Sequence, residues 1–385
     1  MNDYDHLLSD SERDFLSVLQ RFAADELVPR AAATDESGAF VHAQLAGLAA
    51  LGMMGANLPE RWGGADISAH ALFEAVAAVA GGCGSTVSAL TAHYLATDSI
   101  LIGADDTLRA RILPDAAEGK LLGAFGLTEP NAGSDPADMR TRATREGDGW
   151  RIRGRKCFIS NGGVADFIVV YAVTDPDAAH RGISAFVVEK GTPGLTPGRV
   201  EQTMGLRGGH VWELDLDLTV PDANRVGAEG SGFRTAMQVL DNGRIEVAAM
   251  ATGIARAALS AARDWAKTRI IGGEPLAARQ GIQWMLADMA TDLSAAELLG
   301  HEAARQRQAL HDGSGKRFST AASKAKLFAS EAAGRIADAA LQIHGGYGFT
   351  RNFPLERHVR DLRIMRIYEG SSEIQRNIIA GRLLA

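Results

Sequence analysis

Apolar residues recur at helical spacing through the first part of the chain. Phe15, Val18, Leu19, Phe22, Ala23 and Leu27 lie three or four apart. They follow Ser9-Asp10-Ser11-Glu12, in which Ser9 and Glu12 have the spacing of a capping box. Pro29 is expected to close that helix. A second helical stretch, 43–54, runs into the turn-rich Leu58-Pro59-Glu60-Arg61-Trp62-Gly63-Gly64. Stretches 69–80 and 86–102 are apolar around most of their circumference, which predicts buried helices. A short helix over 107–113 ends before Pro114. Residues 1–118 therefore read as an all-helical N-terminal domain.

The period then changes from 3.6 to 2. Trp150-Arg151-Ile152-Arg153 alternates, 167–173 and 183–188 are β-branched and aromatic runs, and Glu213-Leu214-Asp215-Leu216-Asp217-Leu218 alternates strictly. Turn clusters such as Glu146-Gly147-Asp148-Gly149 and Asn161-Gly162-Gly163 separate them. Residues 119–226 are expected to form an antiparallel β-domain, a barrel or sandwich. From Gly232 helical spacing returns, with Phe233, Met237, Leu240, Val247, Ala251, Ile254 and Ala258 on one stripe. Further helices are expected over 280–310 and 320–343 and after Ser372, making 227–385 a four-helix bundle. The fold class is mainly α with a central β-domain.

Composition narrows the function classes. The 385 residues are 46% apolar and 23% charged, an ordinary globular mixture. A formal net charge of −7, without a basic cluster, argues against nucleic acid. The ten histidines are scattered without metal-ligand spacing. Two distant cysteines, Cys83 and Cys157, point to a reducing compartment. The start, Met1-Asn2-Asp3-Tyr4-Asp5, lacks the pattern of a targeting segment, and no apolar run reaches the ~20 residues of a membrane helix. A cytoplasmic, soluble protein is expected.

Four stretches carry candidate chemistry. In Tyr368-Glu369-Gly370-Ser371-Ser372-Glu373 a carboxylate precedes a glycine and two serines able to cap a helix, a mounting suited to a general base. Phe125-Gly126-Leu127-Thr128-Glu129-Pro130-Asn131-Ala132-Gly133-Ser134-Asp135 offers hydroxyl groups and backbone donors. Lys156-Cys157-Phe158-Ile159-Ser160 places an aromatic and a hydroxyl two apart, on one strand face. Gln342-Ile343-His344-Gly345-Gly346-Tyr347-Gly348 ends a helix where glycines let a ligand approach. Each reads also as a plain turn, core position or cap. A Gly-x-Gly-x-x-Gly signature is absent, so any dinucleotide is held outside a Rossmann crevice.

Together with Leu58-Pro59-Glu60-Arg61-Trp62-Gly63-Gly64 and Leu240-Asp241-Asn242-Gly243-Arg244, these motifs resemble the acyl-CoA dehydrogenases from about residue 10 to Leu384. The short-chain and branched-chain members are nearest. The resemblance implies one non-covalent FAD per subunit, a homotetramer, and α,β-dehydrogenation of an acyl-CoA, with electron-transfer flavoprotein as acceptor. Glu369 would be the base, its pKa raised by burial toward ~6–7; Glu246 is its rival on the preceding long helix. Phe125, Leu127, Thr128, Ser134, Phe158 and Ser160 would line the flavin ring. Arg269, Gln280, Gln342 and Gly346 would contact the adenosine and pyrophosphate of a flavin bound mainly by a neighbouring subunit. Ser371 and Glu373 would meet flavin, and Ser134, Asp241, Arg244 and Gly370 the thioester. No metal is implied. Two stretches depart from the family pattern: Arg269-Ile270-Ile271-Gly272-Gly273 lacks an aromatic, and Gly208-Gly209-His210-Val211-Trp212 replaces a stretch with Ser and Thr. The alternatives are an acyl-CoA oxidase using O2, against which the absence of extra C-terminal bulk counts, and a non-catalytic or DNA-associated flavin-binding relative.

Overall fold

The computed structural model describes residues 4–385; Met1-Asn2-Asp3, part of the start read above, lie outside the described residues. The N-terminal part is helical: α1 (Asp10–Phe22), α2 (Val28–Ser37), α3 (His42–Ala50), α4 (Ala69–Gly82), α5 (Gly84–Gly103) and α6 (Asp106–Ala117). Ser9 and Glu12 form the expected reciprocal cap on α1. The second Glu12 oxygen accepts the N–H of Ser68 at 2.8 Å, and Ser68 itself caps α4. One carboxylate thereby fixes two helix starts.

The chain does not stop at Pro29. A π-turn over Ala23–Leu27 carries α1 directly into α2, and Pro29 sits in the first turn of α2, where a helix has no use for its missing N–H. Pro114 likewise lies inside α6 rather than after it.

Seven strands form the middle sheet: β1 (Gly123–Gly126), β2 (Arg142–Glu146), β3 (Gly149–Ser160), β4 (Phe167–Val173), β5 (Ile183–Glu189), β6 (Leu195–Val200) and β7 (Val211–Pro221). The order is β1-β4-β2-β3-β7-β6, with β5 also on β4. The expectation of a wholly antiparallel sheet is corrected here. β1 and β2 both run parallel to β4 and share the edge opposite β5. β1 enters from α6, with helix α5 packed over it, and the chain returns to that edge only later in β4. The alternation in β7 is as read: Leu214, Leu216, Leu218 and Val220 point inward and the intervening acids outward.

The C-terminal part contains α7 (Gly232–Thr268), α8 (Gln280–His311), α9 (Ser319–His344), α10 (Leu355–Arg363) and α11 (Ser372–Leu383), with a hairpin of β8 (Ile270–Ile271) and β9 (Glu274–Pro275) between α7 and α8. Helix α10 was not anticipated. Of the described helices α7 alone is long and apolar enough to cross a membrane, but 72% of its apolar window is buried within the protein. It is the central core helix, packed on α4, α5, α8 and α9. At its crossing with α4, a Cβ on Gly253 would come within 2.0 Å of the Ala77 carbonyl oxygen, so only glycine permits this approach. Cys83 and Cys157 are separate buried thiols.

Candidate active site

After α10 a 3-10 turn over Ile364–Arg366 leads to Tyr368, and the chain then reverses through two left-handed residues, Glu369 (φ 53°) and Gly370 (φ 91°). Ser371 next caps α11, accepting the Ile374 N–H. Glycine takes such a φ freely; a glutamate there costs about 1–3 kcal/mol unless its surroundings hold it. They do. The Gly370 carbonyl accepts Lys326 Nζ and Gln375 Nε2, both at 2.8 Å. The Glu369 carbonyl accepts Gln375 Nε2 at 3.2 Å and Arg244 Nε at 3.4 Å. All three donor residues are buried. The Glu369 N–H meets no acceptor among the described residues.

The side chain is treated differently from its backbone. Glu369 Oε2 is enclosed and has no hydrogen-bond partner. Gly243 on α7 makes its space: a Cβ there would lie 2.1 Å from Oε2 and 2.8 Å from the Leu95 side chain. Burial pushes the Glu369 pKa up to about 7, while the charges of Lys326 and Arg244 act to hold it down. Lys326, itself lowered to about 8 by burial, directs its proton to the Gly370 carbonyl. Arg244 Nη1 is 2.7 Å from Asp241 Oδ1, both buried, and Asp241 also accepts from Ser319. Of the expected substrate residues, Asp241, Arg244 and Gly370 thus join Glu369 in one network, while Ser134 stands exposed on the loop after β1.

That loop is fastened from below. Glu129 is buried and accepts the N–H groups of Arg140 (2.6 Å) and Thr141 (3.0 Å) and Lys156 Nζ (2.8 Å). Lys156 also donates to the Leu127 carbonyl at 3.0 Å, and the Cys157 N–H to the Thr128 carbonyl at 3.0 Å. Glu129 is therefore a staple between the loop and β3. At the end of β3 the ladder breaks between Lys156 and Ile159, and Phe158 takes φ 56°. Its ring is 66% exposed although its neighbours Cys157 and Ile159 are buried. A bulge that turns an aromatic outward is a re-aimed side chain, and it costs free energy unless something covers it. Leu127 lies in one apolar cluster with Ala96, Ala236 and Leu240, and Phe125 packs on it, its ring 5.2 Å from Tyr171. The cluster sets this loop beside the stretches of α5 and α7 that border Glu369. Thr128 and Ser160 are half-buried.

Arg269, Gln280, Gln342 and Gly346 lie elsewhere, all exposed. Arg269 sits over the rings of Trp265 and Tyr347 at the end of α7. At 1.5 Å per residue it is about 37 Å along the helix from Arg244. The departure after Arg269 is a tight hairpin: Gly272 (φ 63°) and Gly273 (φ 86°) supply the two left-handed positions of its turn. The other departure is structural, His210 Nε2 lying 2.6 Å from the Gly38 carbonyl and joining β7 to the end of α2. Ser371 is half-buried and Glu373 exposed at the start of α11. Lys326 and Gln375, which set the loop's shape, were missed; both sit in unremarkable helical sequence, and only folding brings them under Gly370.

A carboxyl titrating near neutrality beside an unused N–H has the chemistry to take a proton and to offer a donor to a developing oxyanion. Comparison with known proteins gives the family. The profiles of the acyl-CoA dehydrogenase N-terminal, middle and C-terminal domains match residues 9–120, 124–218 and 230–384. The "Acyl-CoA dehydrogenase" of Bacillus subtilis is 42% identical over 371 residues, 95% of this chain and 96% of that one. The solved butyryl-CoA dehydrogenase of Megasphaera elsdenii has a TM-score of 0.94 at 39% identity, covering 98% and 99% of the two chains. A chain from a structure of the electron transferring flavoprotein of Acidaminococcus fermentans has a TM-score of 0.95 at 37% identity, with 98% of each chain covered. The chain belongs to the acyl-CoA dehydrogenase family, which are FAD-dependent oxidoreductases. Its residues fit that cofactor: the outward Phe158 ring offers an uncovered apolar face at the sheet.

Proposed function

We propose that this protein oxidises a short acyl-CoA to the 2-enoyl-CoA, with Glu369 removing the α-proton. The observation that carries this reading is the contrast at Glu369 between a backbone held by three buried donors and a carboxyl left without a partner. A base so mounted is aimed before substrate arrives, and its pKa of about 7 suits proton abstraction at neutral pH. The Glu369 N–H donates to the thioester oxygen as negative charge develops there. Arg244, locked by Asp241, keeps the loop in place, and Leu95 with Tyr368 excludes water. FAD, when bound, supplies the hydride acceptor. Phe125, Leu127, Thr128, Ser134, Phe158, Ser160, Ser371 and Glu373 hold its ring portion in this reading.

Arg269, Gln280, Gln342 and Gly346 then serve the adenosine end of a neighbour's flavin, in keeping with the place of Arg269, about 37 Å along α7 from Arg244 of the same subunit. A homotetramer is part of this reading. Electron-transfer flavoprotein is the acceptor, in keeping with the likeness to the Acidaminococcus chain. The same reading takes 1–118, 119–226 and 227–385 as domains of a soluble, cytoplasmic enzyme, the last a bundle of α7, α8, α9 and α11. Anaerobic titration with butyryl-CoA tests it. Bleaching of the flavin in the native protein and none in Glu369→Gln is expected; equal bleaching in both refutes the assignment of the base.

A further inference from the structure

Asp98 on α5, Glu246 on α7 and Arg307 on α8 form a buried charged cluster that the chemistry above does not use. Asp98 is 1% exposed and accepts the side-chain amides of Asn57 and Asn242, each at 2.7 Å. Glu246 is 2% exposed, and neither of its carboxyl oxygens meets a donor. Its nearest cation is Arg307, with Nη1 3.8 Å from Oε1, beyond hydrogen-bond reach. Two carboxyl groups therefore face one guanidinium, and one of the two is left without a donor where burial makes that loss costly. Burial, and then the charge of Asp98, raises the Glu246 pKa against the pull of Arg307.

The position of Glu246 gives this cluster a purpose. It lies one turn, about 4.5 Å, along α7 from Gly243, the residue that makes room for the Glu369 carboxyl. Asp98, Asn242 and Arg307 also wall a cavity of about 640 Å³ reaching toward the start of α1 and the 308–318 segment, and Glu246 itself is not among its lining residues. Glu246 is near enough to Glu369 to feel its charge; on the proposed reading, an acyl chain that starts at Glu369 and follows this face of α7 meets a carboxyl within a few carbons, where a hydrocarbon pocket would present more hydrocarbon.

We infer that Glu246 determines acyl specificity, and that this protein takes a short acyl thioester bearing a hydrogen-bond donor, a hydroxyl or an amine, in preference to a plain alkyl chain. The inference rests on the dehydrogenase reading. A distal donor satisfies the orphaned carboxyl, and an ammonium balances two carboxylates against two cations. A terminal carboxylate meets like charge, and a longer alkyl chain buries against a polar group it cannot satisfy.

The test is flavin reduction by butyryl-, 4-hydroxybutyryl-, 4-aminobutyryl-, hexanoyl- and glutaryl-CoA, with native protein, Glu246→Gln and Glu246→Leu. The native protein should favour one donor-bearing ester over butyryl-CoA by roughly ten- to a hundredfold in kcat/KM, the worth of a hydrogen bond to a buried carboxyl. Glu246→Leu should abolish that ratio, mainly through KM, and Glu246→Gln, with the shape kept, should reduce it less. A native preference for butyryl- or hexanoyl-CoA, or a preference in Glu246→Leu that stays within about twofold of the native one, overturns the inference and leaves the dehydrogenase reading standing. Reduction by none of the five defeats that reading, and this inference with it.

Discussion

Glu129 and Glu369 are the same residue type, each with an enclosed carboxyl oxygen, each close to a buried lysine from another element, yet their pKa values move in opposite directions from the ordinary one. Burial acts to raise both. At Glu129 the charge of Lys156 and hydrogen bonds from Lys156, Thr141 and Arg140 outweigh it, and the pKa falls. At Glu369 the lysine is turned to the Gly370 carbonyl, no donor reaches Oε2, and the pKa rises to about 7. What separates a carboxylate fixed as a staple from one left able to take a proton is where the surrounding donors are directed.

The comparison can be broken from either side. Replacing Glu369 by Gln should lower the rate of flavin reduction by at least ~10³-fold with flavin still bound, because the base is removed and the fold is not. Stopped-flow bleaching checks it. Glu129→Ala should do the converse, costing about 3–5 kcal/mol in urea unfolding by stranding the buried Lys156 charge, and releasing flavin as the loop loosens. Gly243→Ala should cost little stability, since what it meets are the side-chain ends of Glu369 and Leu95, but cut kcat by up to about a hundredfold by displacing the Glu369 carboxyl.

The smallest effects concern pH. Because a raised carboxyl is protonated and idle below its pKa, kcat/KM should climb between pH 6 and 8 with a midpoint near 7. The same shift works against folding: between the ordinary 4.5 and about 7 the unfolded chain releases this proton and the native one keeps it, so this group's contribution to stability falls as pH rises. Lys326→Met should move the kinetic midpoint upward, since a charge favouring ionised Glu369 is gone. An unmoved midpoint would mean that Lys326 acts only through the Gly370 carbonyl.

Much of the fold was legible because it is periodic. The 3.6 spacing of α1 and α7 and the strict alternation of β7 needed no partner to be recognised. β1 was not: Gly123-Ala124-Phe125-Gly126 becomes a strand only by lying parallel to β4. β2 and β6 escaped because most of their residues are exposed, which erases alternation. α10 escaped because its nine residues are mostly charged. At the site, Glu369 announced itself through the cap that follows it. Lys326 did not, being one lysine in an alanine-rich helix, and Glu246 was seen only as a rival base. The meeting of Asp98, Glu246 and Arg307 depends on how three helices are rotated about their axes, which no local pattern encodes.

The unbroken run of α7 also bears on how the protein behaves in the test tube. Arg244, beside Glu369, and Arg269 ride on one stiff rod and its tip, so no flexing can bring Arg269 to the Glu369 loop of its own subunit. On the proposed reading, dilution that parts the subunits strips the adenosine-end grip and leaves the ring-side loop intact. Yellow colour should then fade on dilution and return on concentration, making cofactor retention a gauge of assembly.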